Sequence, residues 1–167
     1  MLPIILTAQT RHIGLIAKGD ALERRRALLA QAGVQPVLLR VDADDAALAR
    51  LHVLFVAGLG AFTSESLFNR TRNLGVLLNV EDAPELCDFH VPAIVRRGDL
   101  LLTVSTGGQA PALARQLREW LAGHFGPEWS DRLAHVREAR QGWRADGLPP
   151  AQVSERTRAL VTERGWL

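Results

Sequence analysis

Ile13-Gly14-Leu15-Ile16-Ala17-Lys18-Gly19-Asp20, continued by residues 21–32 (ALERRRALLAQA) and residues 37–41 (VLLRV), is the stretch on which the fold turns. Residues 13–17 are a short apolar run without helical period, which reads as a buried strand. Lys18-Gly19-Asp20 follows as a turn, with Asp20 placed to cap the next element. Residues 21–32 read as a helix, with Leu22, Leu28 and Leu29 inward and residues 23–26 largely solvated; Gly33 ends it. Residues 37–41 make a second strand. An acidic turn, residues 42–45, comes next, and Asp44 or Asp45 is placed to cap residues 46–50. Residues 52–57 (HVLFVA) are another buried strand, 64–74 a short helix closed by Gly75, and 76–80 a further strand. Strands alternating with helices across short turns specify a parallel sheet with helices on both faces. The fold class is therefore α/β and Rossmann-like, with its ligand side at the carboxyl ends of the strands.

Residues 81–111 break this rhythm. Residues 81–90 (EDAPELCDFH) are polar and irregular. Residues 93–95 and 100–105 are short strands joined by a turn at 96–99, a small strand pair. Residues 106–111 form a glycine turn, and Pro111 suits a helix start. Residues 112–124 make an amphipathic helix, with Leu113, Leu117 and Leu121 in one stripe beside Trp120, Phe125 and Trp129. Residues 128–144 and 152–163 are helical and charged, separated by Pro149-Pro150. The apolar stripe exceeds what a small appendage buries alone, so a homodimer is expected. The expected organisation is a Rossmann-like domain over residues 1–92 and a dimerisation and helical segment over residues 93–167.

The chain has 167 residues, 47% hydrophobic and 23% charged, a balance that excludes a disordered chain. No apolar run approaches the ~20 residues of a membrane-spanning helix. Residues 1–6 are apolar but lack a basic flank and soon reach Arg11 and His12, so they are not expected to be a signal peptide. Cys87 is the single cysteine, which excludes an intramolecular disulfide and a multi-cysteine metal site; the expected compartment is the cytoplasm. A net charge of +2 with no tyrosine makes a poor nucleic-acid binder. Lys18 is the only lysine among 20 basic residues. Arginine grips carboxylates and phosphates in a bidentate way, and high-GC codon usage also favours it.

Three places can carry chemistry. The first turn, Ala17-Lys18-Gly19, stands where a dinucleotide fingerprint needs glycines for close approach of the backbone to a pyrophosphate. Asp42 lies about 20 residues further on, where a ribose-binding acid belongs. The second place is the acidic segment after residue 80. Glu81, Asp82, Glu85 and Asp88 offer either a general base or metal ligand in transit, or merely a solvated acidic loop. The third is Ser105-Thr106-Gly107-Gly108, an anion-binding turn before a helix or a plain turn and cap.

Residues 79–98 (NVEDAPELCDFHVPAIVRRG) and 104–119 (VSTGGQAPALARQLRE) closely resemble the siroheme-synthase N-terminal region family, precorrin-2 dehydrogenases and sirohydrochlorin ferrochelatases. The resemblance covers about residues 2–145. It implies an enzyme of siroheme, and thus porphyrin-type, biosynthesis. That enzyme is an oxidoreductase that uses NAD to oxidise precorrin-2 to sirohydrochlorin and, as a lyase, inserts ferrous iron taken as substrate. It also implies a homodimer and an anionic tetrapyrrole ligand. By the same resemblance Asp82 is catalytic, and Asn79, Ser105, Thr106, Gly107 and Gly108 bind substrate. Gly19, Asp20, Ala21, Val41 and Asp42 contact the cofactor. Arg96, Arg97, Arg115 and Arg118 are suited to the substrate's carboxylates. The chain departs from the family on the NAD side. Ala17-Lys18-Gly19 replaces Gly-Gly-Gly, and Ala57-Gly58-Leu59-Gly60 replaces an Ala-Thr-Asp/Asn segment. NAD binding is accordingly expected to be weak or absent, with an NAD-independent chelatase, or a non-catalytic binder of a tetrapyrrole or partner, as the alternative reading.

Overall fold

The structure is a computed structural model that describes residues 2–7 and 12–167; Met1 and Arg11, which frame the apolar start of the chain, lie outside the described residues. The first compact unit, residues 1–91, runs β1 (Ile13–Ala17), α1 (Asp20–Gln31), β2 (Val37–Leu38), α2 (Asp45–Leu48), β3 (Val53–Ala57), α3 (Ala61–Leu74) and β4 (Leu77–Val80). Its four strands form one parallel sheet in the order β2-β1-β3-β4. Side-chain alternation along the strands divides the core into two layers. Ile13, Leu15, Val53 and Phe55 pack with Leu29 of α1 and with Val34. Ile16, Leu54, Val56, Leu78 and Val80 pack on the other side with Leu48 of α2 and Leu67 of α3. Both faces are covered, which is why the strands read as unbroken apolar runs.

Some boundaries differ from the sequence reading, each for a local reason. The second strand is confined to Val37–Leu38. It is an edge strand with both side chains exposed. The chain leaves the ladder once the Leu39 amide has donated to the Leu15 carbonyl at 3.0 Å, and a turn from Arg40 to Ala43 follows. Asp20 does not cap α1; Gly19 holds that position at φ 58°, and Asp20 is the first helical residue. Asp44 does cap α2, accepting from the Ala47 amide at 2.8 Å. Helix α3 begins at Ala61 rather than Ser64, because the extended Gly60 precedes it and the Ser64 amide already donates to the Gly60 carbonyl at 3.1 Å.

The second compact unit, residues 92–167, starts with the antiparallel pair β5 (Ala93–Arg97) and β6 (Leu100–Val104), with Arg97 opposite Leu100. Helices α4 (Pro111–His124), α5 (Trp129–Ala145) and α6 (Pro150–Glu163) follow. Pro111 and Pro150 stand in the first helical turn, where a missing amide proton costs nothing. Arg97 donates from Nε to the Phe125 carbonyl at 2.7 Å and from Nη2 to the Ala122 carbonyl at 3.1 Å. It thereby satisfies carbonyls that the end of α4 leaves unpaired. Among the described residues of this unit, only Val95 and Val153 are fully buried apolar side chains. No helix among the described residues is long and apolar enough to cross a membrane.

Leu54, fully buried in β3, should be the more sensitive of two matched test sites in the sheet. Leu54→Ala is expected to lower the unfolding free energy by about 2–5 kcal/mol, and Leu77→Ala, on a half-exposed position of β4, by less than about 1 kcal/mol. Urea denaturation followed by far-ultraviolet circular dichroism measures both.

Candidate functional site

β1 lies between β2 and β3, so the chain leaves it first to one side and then to the other. Such a switch point opens a crevice at the carboxyl ends of the strands. An open pocket of about 610 Å³ lies there, lined by Ala17, Lys18, Leu39, Arg40, Val41 and Asp42. Gly19 has φ 58° and ψ −149°, backbone that is almost reserved for glycine. The space its missing Cβ would take is empty, which leaves the turn open to a bound group. Gly58 follows β3 at φ 66°; a Cβ there would sit 2.5 Å from the Lys18 carbonyl oxygen and 3.1 Å from the Ala21 Cβ. The Lys18 amide donates to the Ala57 carbonyl at 3.2 Å. The loops after β1 and β3 therefore abut, and only glycine fits at residue 58.

Val41 and Asp42 line this pocket, whereas Gly19, Asp20 and Ala21 form the turn and first residues of α1 beside it. Arg40, to which the sequence reading assigned no role, belongs here too. Its Nε donates to Asp42 Oδ1 at 2.9 Å and its Nη2 to Oδ2 at 3.0 Å. This hydrogen bonding and charge hold the Asp42 carboxyl below its usual range and push the Arg40 guanidinium up. Lys18 forms no ion pair among the described residues. A glycine turn with open space, a basic lining and an acid at the end of the second strand fit a nucleotide.

The acidic segment after β4 sorts itself by partner. Glu81 is bound to α1, 3.2 Å from Arg24 and 3.7 Å from Arg25. Asp88 accepts from the Leu78 amide at 2.8 Å. Cys87 places its sulfur 3.2 Å from the Val80 nitrogen, which donates to it, and near the Val80 and Ala83 carbonyls, which share its proton. Burial pushes the Cys87 thiol up, against the opposing effect of the Val80 amide. Asn79 is buried and donates to the Phe89 carbonyl at 2.9 Å; its Oδ1 has no partner among the described residues. The loop is thus pinned at both ends. Asp82 remains exposed, without an ion pair, and is the one non-glycine residue at positive φ (61°) among the described residues. Held left-handed backbone of this kind concentrates at functional sites.

In the second unit, Gly107 and Gly108 have φ 65° and 80°. The Gly107 amide donates to Ser105 Oγ at 3.3 Å, and the Ala110 amide to Thr106 Oγ1 at 3.2 Å. The Thr106 hydroxyl thus accepts within the turn and keeps its proton to donate. Of the four arginines considered for substrate carboxylates, Arg97 is engaged on the end of α4 and Arg118 on Glu119 at 3.1 Å. Arg96 and Arg115 are exposed.

A parallel sheet with its switch-point crevice is that of a Rossmann-like α/β protein. Residues 6–93, more than half the chain, match the family described as "Putative NAD(P)-binding", and residues 97–124 match the one described as "Sirohaem biosynthesis protein central". The siroheme synthase of Stutzerimonas stutzeri is 32% identical, over 85% of this chain and 38% of that protein. That of Azotobacter vinelandii is 31% identical, over 95% of this chain and 43% of that protein. That of Methylococcus capsulatus is 31% identical, over 70% of this chain and 29% of that protein. The chain thus spans well under half the length of these relatives. The solved structure of SirC, a precorrin-2 dehydrogenase, matches all of this chain and 92% of its own with a TM-score of 0.76 and 18% identity, a likeness of fold. The chain belongs to the NAD(P)-binding family that forms the N-terminal region of siroheme synthases.

Removing the guanidinium beside Asp42 takes away what favours its charged form, so the titration midpoint must rise. Arg40→Gln is expected to move the Asp42 carboxyl midpoint up toward the ordinary aspartate value, as read by carboxyl carbon NMR across an acid titration.

Proposed function

We propose that the chain is a cytoplasmic precorrin-2 dehydrogenase of siroheme biosynthesis that also inserts ferrous iron into the sirohydrochlorin it forms, and that it works as a homodimer. The observation that carries the reading is Asp82. It is an exposed carboxylate held in left-handed backbone just beyond β4, in a chain whose family is NAD(P)-binding. A bound nicotinamide dinucleotide supplies the hydride acceptor. The Gly19 turn and the pocket lined by Lys18, Arg40 and Asp42 would hold it.

Oxidation of the macrocycle removes a hydride and a proton, and Asp82 takes the proton as general base. Iron enters as a substrate and displaces two pyrrole protons, which the same exposed carboxylate takes one at a time, passing the first to solvent before it accepts the second. Among the described residues no three His, Cys, Asp or Glu side chains gather as a metal-holding group. Glu81 and Asp88 are committed to structural bonds, and of the two carboxylates that remain, Asp82 and Glu85, Asp82 is the one held in left-handed backbone. In the second unit, the Thr106 hydroxyl, the Gly107-Gly108 backbone and the exposed Arg96 and Arg115 offer donors of the kind a polycarboxylate needs.

Asp82→Asn keeps the shape and removes the base. It is expected to cost about 100- to 10,000-fold in rate, with little change in tetrapyrrole affinity. Dinucleotide-dependent oxidation of precorrin-2 and iron insertion into sirohydrochlorin, both followed by absorbance, measure the rates. An active parent whose Asp82→Asn variant keeps most of its rate would sink the assignment.

The homodimer reading rests on α4. Leu113, Leu117 and Trp120 are 48%, 41% and 56% exposed, and neither α4 nor α5 buries any residue fully. A stripe of that size in so thin a unit calls for a partner surface. Light scattering at micromolar concentration should give twice the chain mass, and Leu117→Glu with Trp120→Glu should give a monomer. A monomeric parent would refute the reading.

A further inference from the structure

We infer that the pocket beside β1 selects a dinucleotide bearing a phosphate on the adenosine 2′ position, and that Arg40 and Lys18 make the selection. The inference rests on the dinucleotide reading given above and goes beyond it to the choice of ligand. At the end of the second strand of a Rossmann crevice, an acid bonds the ribose 2′-hydroxyl, whereas an arginine accommodates a 2′-phosphate. Both residue types stand here, so sequence alone leaves the choice open. The geometry decides it. Asp42 meets Arg40 with both of its oxygens, one on Nε and one on Nη2, so both are already engaged by a cation.

Arg40 has five N–H groups and spends two on Asp42. The others remain on a side chain that is 87% exposed at the pocket lining. Lys18 lines the same pocket and forms no ion pair among the described residues. With Arg40 paired to Asp42, Lys18 leaves the pocket with one net positive charge, and the remaining lining, Ala17, Leu39 and Val41, is apolar. A phosphate presents several acceptor oxygens and a charge of about −1.5 to −2, which arginine meets in a bidentate way. A ribose hydroxyl offers no charge. The residues that replace family glycines, Ala17 and Lys18, work against close pyrophosphate contact, so the extra phosphate counts for more of the affinity.

Calorimetric titration of the full chain with NADP⁺ and NAD⁺, and with adenosine 2′,5′-bisphosphate and 5′-AMP, tests this. NADP⁺ is expected to bind at least about tenfold more tightly than NAD⁺, with the bisphosphate exceeding AMP in the same sense. Arg40→Gln should weaken NADP⁺ roughly 10- to 100-fold, and Lys18→Gln in the same direction by less, with NAD⁺ losing less than NADP⁺ in each variant so that the ratio of the two affinities falls toward one. Binding of NAD⁺ as tightly as NADP⁺, or survival of the preference in the Arg40→Gln, Lys18→Gln double variant, would overturn the selection and leave the dinucleotide reading standing. Failure of both dinucleotides to bind would overturn both.

Discussion

Parallel pairing of β1 with β3 is the constraint on which the first unit depends. Ile13 lies opposite Val53 and Ala17 opposite Ala57, with every residue between in register. Because side chains alternate, that register assigns Leu15 and Phe55 to one layer and Ile16, Leu54 and Val56 to the other. A slip of one residue would exchange the two layers against helices whose apolar stripes do not exchange. The same pairing brings the strand ends level at Ala17 and Ala57. The loops that follow then meet, which makes Gly58 obligatory.

At the other end of the sheet's carboxyl edge, a short loop carries an unfavourable backbone conformation. A left-handed residue with a side chain costs about 1–2 kcal/mol, less for aspartate, whose short polar side chain tolerates it. Bonds on either side of Asp82 offset that cost. Glu81 is drawn toward α1 by Arg24 and Arg25, Cys87 bridges Val80 and Ala83, and Asp88 returns to the Leu78 amide. Four carboxylates that look alike in the sequence thus divide into structural members and members open to solvent. Structure divides the arginines too. Arg97 closes the end of α4, and Arg70 joins Asp45 at 2.7 Å and the Ala43 carbonyl at 2.6 Å. Arg40 stands at a pocket lining. A composition rich in arginine is compatible with either a structural or a binding use, and only position tells them apart.

Local pattern was enough for the strands and helices of the first unit, because buried parallel strands and capped helices are written in runs of neighbouring residues. Asp44 is an example: its role as a cap depends on the amide three positions on. The sequence reading extended β2 to residue 41 because an apolar run does not show where an edge strand loses its neighbour. It placed the cap of α1 on Asp20 because side-chain type outweighs a glycine in such a reading, whereas the chain needed backbone at positive φ there.

What the sequence by itself determined about this protein was the α/β class, the parallel sheet, and the two motifs that carry the family. These depend on period, on turn residues and on long contiguous runs. Only the tertiary structure decided that Gly58 must be glycine, that Arg40 belongs beside Asp42 on a pocket also lined by Lys18, and that Asp82 alone among the non-glycine described residues takes left-handed backbone. The reason is physical: each of these facts depends on what a residue meets across space. Arg24 and Glu81, 57 positions apart in the chain, meet only because α1 packs beside the strands that end in the loop carrying Glu81.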